Sequence, residues 1–200
     1  MPDLMTPSPS RHRKKGPSVR KSLAGFWRDR RGVSAVEFAL IAPVLVIFYC
    51  GVAELTQAMM AQRRVSNIAS SIGDLVAQSA QLTDARRTDI FTIGATILAP
   101  FPTSTLRMCL VSVSSDSTGK DTVDWSENSN THPNCPAKGT VLAATVVPVG
   151  VLPASQSVIM AKAMYAYKSP IKFVMPSTVN FYRTFYLRPR KSETVMRVTG

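Results

Sequence analysis

Residues 33–52 form a nearly unbroken apolar run, interrupted by Ser34 and by one acid, Glu37. Its length is about the 20 residues that a helix needs to cross a bilayer. Beyond it the pattern turns amphipathic. Leu55, Met59, Val65, Ile68, Ile72, Leu75 and Val76 recur at spacings of three, four or their sums, which is the period of a helix with one apolar face. The pattern predicts one helix over residues 33–78, its first half in lipid and its second half packed on a soluble domain. Pro43 should bend the first half, because it removes a hydrogen bond and crowds the preceding turn. A second helix is expected over 84–98, with Thr83 as N-cap, Asp84 in the first turn and Pro100 and Pro102 beyond its end. Its apolar face is Ile90, Phe91, Gly94, Ile97 and Leu98.

After Pro102 the period changes to two. Strands are expected over 106–111, 122–125, 140–147, 158–167 and 181–188, with a turn around Asp116 and Gly119 and a polar loop over 126–139. In 158–167 the alternation puts Ile159, Ala161, Ala163, Tyr165 and Tyr167 on one face. The fold class that follows is α+β, a long N-terminal transmembrane and amphipathic helix packed on a small antiparallel sheet. The domains are a basic cytoplasmic leader (1–32), a transmembrane helix (33–54) and an α+β domain on the far side of the membrane (55–200).

Charge refines this picture. The chain has a net charge of +12, which on its own would point to nucleic acid. Nine of its Lys and Arg lie between Arg11 and Arg31, directly before the apolar run. Lys and Arg beside a span keep their side in the cytoplasm, so topology explains the excess and no nucleic-acid partner is expected. The leader holds Pro2, Pro7, Pro9 and Pro17 and little apolar content before Leu23, so it cannot build a core. It differs from a secretory signal, because the apolar run is long, no Ala-x-Ala site follows it and the charged Glu54 comes soon after. A cut would fall better before the run than after it, at Gly32 and Val33.

Glu37 stands out chemically, since an acid at hydrocarbon depth is costly and usually paired or functional. A cut between Gly32 and Val33 would create an α-amino group four residues earlier, on the same helix face. That amine and Glu37 could neutralise each other within a chain or between chains. Alternatively, Glu37 snorkels to the nearby membrane edge.

Arg30, Arg31 and Gly32, followed by Val33 to Pro43 with Glu37 and Phe38 inside, resemble the N-terminus of the TadE-like family of tight-adherence (Tad, or Flp) pilus pseudopilins. Gly32 occupies the place of the Gly before the cut, Glu37 that of the acid at the fifth mature residue, and Phe38 that of the aromatic beside it. Val123 to Ser126, Tyr165 to Tyr167 and Tyr186 to Arg190 are similar to later parts of such chains. The resemblance implies cleavage after Gly32 by an inner-membrane prepilin peptidase. It also implies partnership with other pilins and the Tad secretion machinery, and a minor role in pilus assembly and adhesion, with Glu37 and Phe38 serving assembly. The major pilins of such pili are far shorter and lack a soluble domain of this size. The alternative is an uncleaved, single-pass anchor carrying a periplasmic binding or adhesion domain.

Of three cysteines, Cys50 lies in the span and reads as a small packing residue. Cys109 and Cys135 lie beyond it, in a compartment where a disulfide is permitted. A bond between them would contribute on the order of 3 kcal/mol in the chain-entropy view. His132 with Cys135 falls short of the four ligands zinc prefers, and Asp116, Asp121 and Asp124 lack EF-hand spacing. No metal or cofactor is therefore expected. The chain has no G-x-S-x-G, H-E-x-x-H or P-loop pattern, so no catalytic residue is assigned and no enzyme activity expected. A tethered hydrolase is the enzyme-class rival, without a nucleophile to name. Arg183, Arg188, Arg190, Lys191 and Arg197 make the C-terminal end basic, either a solvated strand edge or a contact for an acidic partner or polysaccharide.

Overall fold

The computed structural model describes residues 32–199. The leader, apart from Gly32, lies outside the described residues. The element order is α1 (Val33–Ala77), β1 (Gln81–Leu82), α2 (Asp84–Ile97), β2 (Leu106–Ser115), β3 (Asp121–Ser129), β4 (Ser157–Tyr167), β5 (Val179–Leu187) and β6 (Met196–Arg197). The described residues fall into two units, one ending at Phe48 and the other beginning at Tyr49. In the first, the described part of α1 leaves its apolar side chains uncovered, with Phe38 69% and Leu40 78% exposed. Pro43 lies inside α1, which continues through it.

In the second unit, Ala58, Ala61, Val65, Ile68, Ala69, Ile72 and Val76 form the buried stripe of α1. The expected stripe is corrected at its start. Leu55 and Met59 face outward, and the small Ala58 and Ala61 face the core. Small residues let another element come close, and Gly73 carries this furthest. A Cβ at Gly73 would lie 2.5 Å from Leu187 Cδ1 and 2.9 Å from the Ala161 Cβ.

The main sheet is antiparallel, in the order β3-β2-β4-β5. Its helix face joins Leu106, Met108, Leu110, Trp125, Ile159, Ala161, Ala163, Tyr165 and Tyr167 to the α1 stripe, Ile90 and Leu98 in one core. The alternation in β4 thus faces the helices, because every second side chain of a strand shares a face. The opposite face holds a second cluster of Cys109, Val111, Val113, Val123, Val158 and Met160. With both faces covered, β2 is buried almost throughout.

Cover for the second face comes from a segment expected to be a strand. Residues 140–147 form no strand and make only an isolated bridge, Thr122 with Val141. Leu142 and Val146 pack instead on the second cluster, and the Tyr186 hydroxyl donates to the Val146 carbonyl at 2.5 Å. The apolar residues there serve as a lid, with Pro148 close behind. The expected strand 122–125 extends to Ser129, and 106–111 extends to Ser115. Polar Ser126, Glu127, Asn128 and Ser129 keep the ladder by pairing with Val111, Leu110, Cys109 and Met108.

Two short strands escape the sequence pattern. β1 and β6 pair in parallel, Gln81 with Met196 and Leu82 with Arg197. The tail is held further by Trp125, whose indole N–H donates to the Val195 carbonyl at 2.6 Å. The Arg190 N–H donates to Ala77 O at 2.8 Å, satisfying an orphan carbonyl at the end of α1. α2 begins as expected, with Thr83 Oγ1 accepting from the Arg86 N–H at 3.3 Å.

Candidate functional site

Gly32 immediately precedes α1, and Val33 is its first residue. Among the described residues, setting aside its chain neighbours, no heavy atom lies within 4 Å of where a Cβ on Gly32 would sit. Glu37 and Phe38 follow within the first two turns, both exposed. Val33 and Glu37 stand four residues apart on one helix face. The structure therefore places the junction, Glu37 and Phe38 together on an uncovered apolar helix. Among the described residues, one helix is long and apolar enough to cross a membrane, and it is α1.

Further along α1 is a site that sequence reasoning passed over. Glu54 is fully buried. Its carboxylate meets the loop between β4 and β5. Oε1 accepts from the Ser169 hydroxyl at 2.5 Å and the Phe173 N–H at 3.0 Å. Oε2 accepts from the Val174 N–H at 2.6 Å and the Met175 N–H at 3.1 Å. Successive N–H groups converging on one anion form a small nest, and four donors on two oxygens match the acceptor-only character of an ionised carboxylate. Ser169 Oγ in turn accepts from the Ile171 N–H at 3.3 Å. Glu54 thus fastens the loop to the helix. The signal was present in the sequence as a lone acid between Glu37 and Asp74, but its partners lie more than a hundred residues away.

A second charged cluster ties the tail down. The Arg197 guanidinium pairs with Asp84 and, at 2.6 Å, with Glu127, which also pairs with Arg87 at 3.1 Å. The hydrogen bond that Arg197 donates to Asp84 raises its pKa most, burial opposes the rise, and the hydrogen bond donated to Glu127 and the two carboxylate charges add to it. Arg197 is therefore corrected from a solvated basic edge to an internal tie, since its side chain is only 12% exposed. Arg190 pairs with Asp74 at 2.6 Å, and Arg183 donates to the neighbouring Tyr182 carbonyl.

Cys109 and Cys135 are joined by a disulfide across a Cα–Cα distance of 5.8 Å, and Cys50 is a half-buried free thiol. The bond pins the 130–135 segment to the second face of the sheet. His132, also there, is buried, and its Nδ1 accepts from the Asn134 N–H at 3.2 Å. Burial first, then the charges of Lys162 and Arg107, lower the His132 pKa. This agrees with an Nδ1 that serves as an acceptor.

The three aspartates do not form a cation site. Asp116 Oδ1 accepts from the Thr118 N–H, the Thr118 hydroxyl and the Lys120 N–H at 2.8, 2.7 and 2.9 Å. Those bonds close the β2–β3 turn, and the Thr118 hydroxyl leads in lowering the Asp116 pKa. Asp124 instead accepts from Ser112 and Ser114. Among the described residues there is no cluster of three or more metal-ligating side chains. An open cavity of about 490 Å³ between α2 and the β2–β3 end is lined by Arg87, Phe91, Met108 and Asn128 among others. It holds no arrangement of nucleophile and base.

No significant match to the chain came from the curated proteins or from the solved structures. The family model described as TadE-like protein matches residues 32–73, a segment that begins at the Gly32 junction and contains Glu37, Phe38, Glu54 and most of the buried stripe of α1. Over this segment, about a fifth of the chain, the protein is similar to TadE-like proteins.

Proposed function

We propose that this chain is a minor pseudopilin of a bacterial tight-adherence pilus, acting in pilus assembly and adhesion. The observation that carries the reading is the exposed apolar start of α1, which has Glu37 and Phe38 one turn inside the Gly32–Val33 junction and lies within the TadE-like match. In this reading residues 33–54 cross the inner membrane once, with the basic leader in the cytoplasm and residues 55–200 in the periplasm. The nine Lys and Arg before the span support that orientation. The Cys109–Cys135 disulfide supports an oxidising compartment for the domain. Prepilin peptidase removes the leader between Gly32 and Val33. The uncovered helix face then packs on the helices of other pilins during assembly by the Tad secretion machinery.

Glu37 pairs in this scheme with an α-amino group on Val33, its own or a neighbour's. The test is Glu37→Ala, followed by co-purification with other pilus subunits at matched membrane levels. Insertion stays intact, because removing an acid makes the span more apolar. Incorporation falls, because the amine is left unpaired near hydrocarbon. A variant that assembles as well as the parent chain would leave Glu37 as a residue tolerated at the membrane edge. It would favour the alternative, an uncleaved single-pass anchor for a periplasmic binding domain.

A further inference from the structure

The loop that Glu54 fastens has an unusual surface for a water-facing connection. Residues 168–178 join β4 to β5 and contain no acid. Ile171, Phe173 and Val174 are 42%, 57% and 56% exposed. Lys168 precedes them and Lys172 stands between Ile171 and Phe173, both exposed. Loops between sheet strands are ordinarily polar, and adjacent exposed apolar side chains mark a contact surface. The cluster is not left loose. Three consecutive backbone N–H groups, of Phe173, Val174 and Met175, are committed to Glu54. This fixes the loop while its Phe173 and Val174 side chains remain outside.

The place where it is fixed is specific. One turn before Glu54, a Cβ on Gly51 would lie 3.3 Å from Val174 Cγ2, so the loop rides against α1 at Gly51. An α-helix rises 1.5 Å per residue and a bilayer core is about 30 Å thick. A span that enters the hydrocarbon at Val33 therefore leaves it about 20 residues later, near Val52. The loop is clamped to the helix at the depth where the helix emerges. Tyr49, Val52 and Leu55 are also exposed apolar residues of α1 at that level.

We propose that the 168–178 loop is a second membrane contact. Ile171, Phe173 and Val174 enter the interfacial zone of the leaflet where α1 emerges, and Lys168 and Lys172 lie at the phosphates of its lipids. Apolar side chains interspersed with Lys suit this zone, because the rings and branched chains reach the acyl boundary while the ammonium groups stay at the headgroups. Glu54 is the positioning residue, since it sets the height of the loop on the helix. With two points of contact the domain has a fixed orientation on the membrane before assembly. The proposal rests on the reading of α1 as a membrane span.

The test uses the full chain in vesicles of phosphatidylethanolamine and phosphatidylglycerol. The background is Cys50→Ala with the Cys109–Cys135 disulfide intact. A nitroxide is attached in separate variants at Leu40→Cys, Phe173→Cys and Val149→Cys, and its collisions with oxygen and with a water-soluble nickel chelate are measured. Phe173→Cys keeps the backbone donors to Glu54. The expected order of the oxygen-to-nickel ratio is Leu40 highest, Phe173 several-fold above Val149, and Val149 lowest, as a fully exposed loop position in water. A Phe173 label as accessible to nickel as Val149, with Leu40 still in lipid, overturns the loop contact and leaves the span standing. A Leu40 label in water overturns the span and the loop contact with it. A Phe173 label shielded from both reagents overturns the lipid contact in favour of a protein partner on the loop.

Discussion

Glu54 on α1 accepts the hydroxyl hydrogen bond of Ser169, 115 positions further along the chain, and both residues are buried. The pair joins the helix that would leave the membrane to the loop that follows the longest strand of the sheet. An acid that looks like the polar end of an apolar run is in fact the anchor of a distant segment.

Glu54→Gln tests that anchor better than removal of the side chain. The amide keeps the size of the carboxylate but offers one acceptor oxygen and an NH₂ donor. That donor must face backbone N–H groups that now lack an acceptor, and a donor left without a partner on burial is destabilising. The variant in detergent should unfold at a lower temperature than the parent and be cut faster by protease within 169–176. An unchanged midpoint and cleavage pattern would mean that the loop is held by its packing alone.

The Cys109–Cys135 bond closes a loop with a sequence separation of 26. Chain-entropy reasoning assigns such a loop about 3 kcal/mol. Cys109→Ala with Cys135→Ala should therefore lower the melting temperature by roughly 10 °C for a chain of this size. The loss should be accompanied by faster proteolysis of 130–152, the segment that lies over the second face of the sheet. A change of a degree or less in thermal unfolding would show that Leu142, Val146 and their neighbours hold this cover unaided.

Gly73 and Gly94 give opposed expectations to helix propensity, by which Ala should stabilise either helix by up to about 1 kcal/mol. A Cβ at Gly73 meets the Ala161 Cβ at 2.9 Å as well as Leu187 Cδ1, and Ala161 sits on a central strand with no rotamer to change. A Cβ at Gly94 meets chiefly the Met108 sulfur at 2.6 Å, on a side chain that repacks readily. Gly73→Ala should cost about 1–3 kcal/mol through overpacking, and Gly94→Ala clearly less. Chemical denaturation of the two variants decides it. Equal costs, or a larger one at Gly94, would contradict the close approach of α1 to β4.

The sequence is most transparent where one face of an element is buried by local periodicity. The bounds of α1 and α2, the Thr83 cap and the alternation of β4 all follow from spacing within a few residues. It is least transparent where distant parts decide. Residues 140–147 carry a strand-like apolar composition that serves to cover a sheet face, and nothing local separates a paired strand from a lid. β1 and β6 are two residues each and exist because Trp125 and Arg197 hold the tail in place. The α1 stripe was readable from Val65 onward, while Ala58 and Ala61 are inconspicuous by hydropathy and are selected by the closeness of the sheet. At the candidate site, Gly32, Val33, Glu37 and Phe38 lie close together in the sequence and are visible as a motif. Glu54 and Arg197 look like ordinary surface charges until their partners are brought to them.

The central claim, a pilin-like membrane subunit released from its leader at the start of α1, is tested most directly by the N-terminus of the protein itself. The full chain is expressed in cells with an active cognate prepilin peptidase, purified from membranes, and its amino terminus determined by sequencing together with intact mass. The account predicts a mature chain beginning at Val33, and retention of the leader when the peptidase is inactive. A membrane protein that still begins at Met1 with the active peptidase present would contradict it.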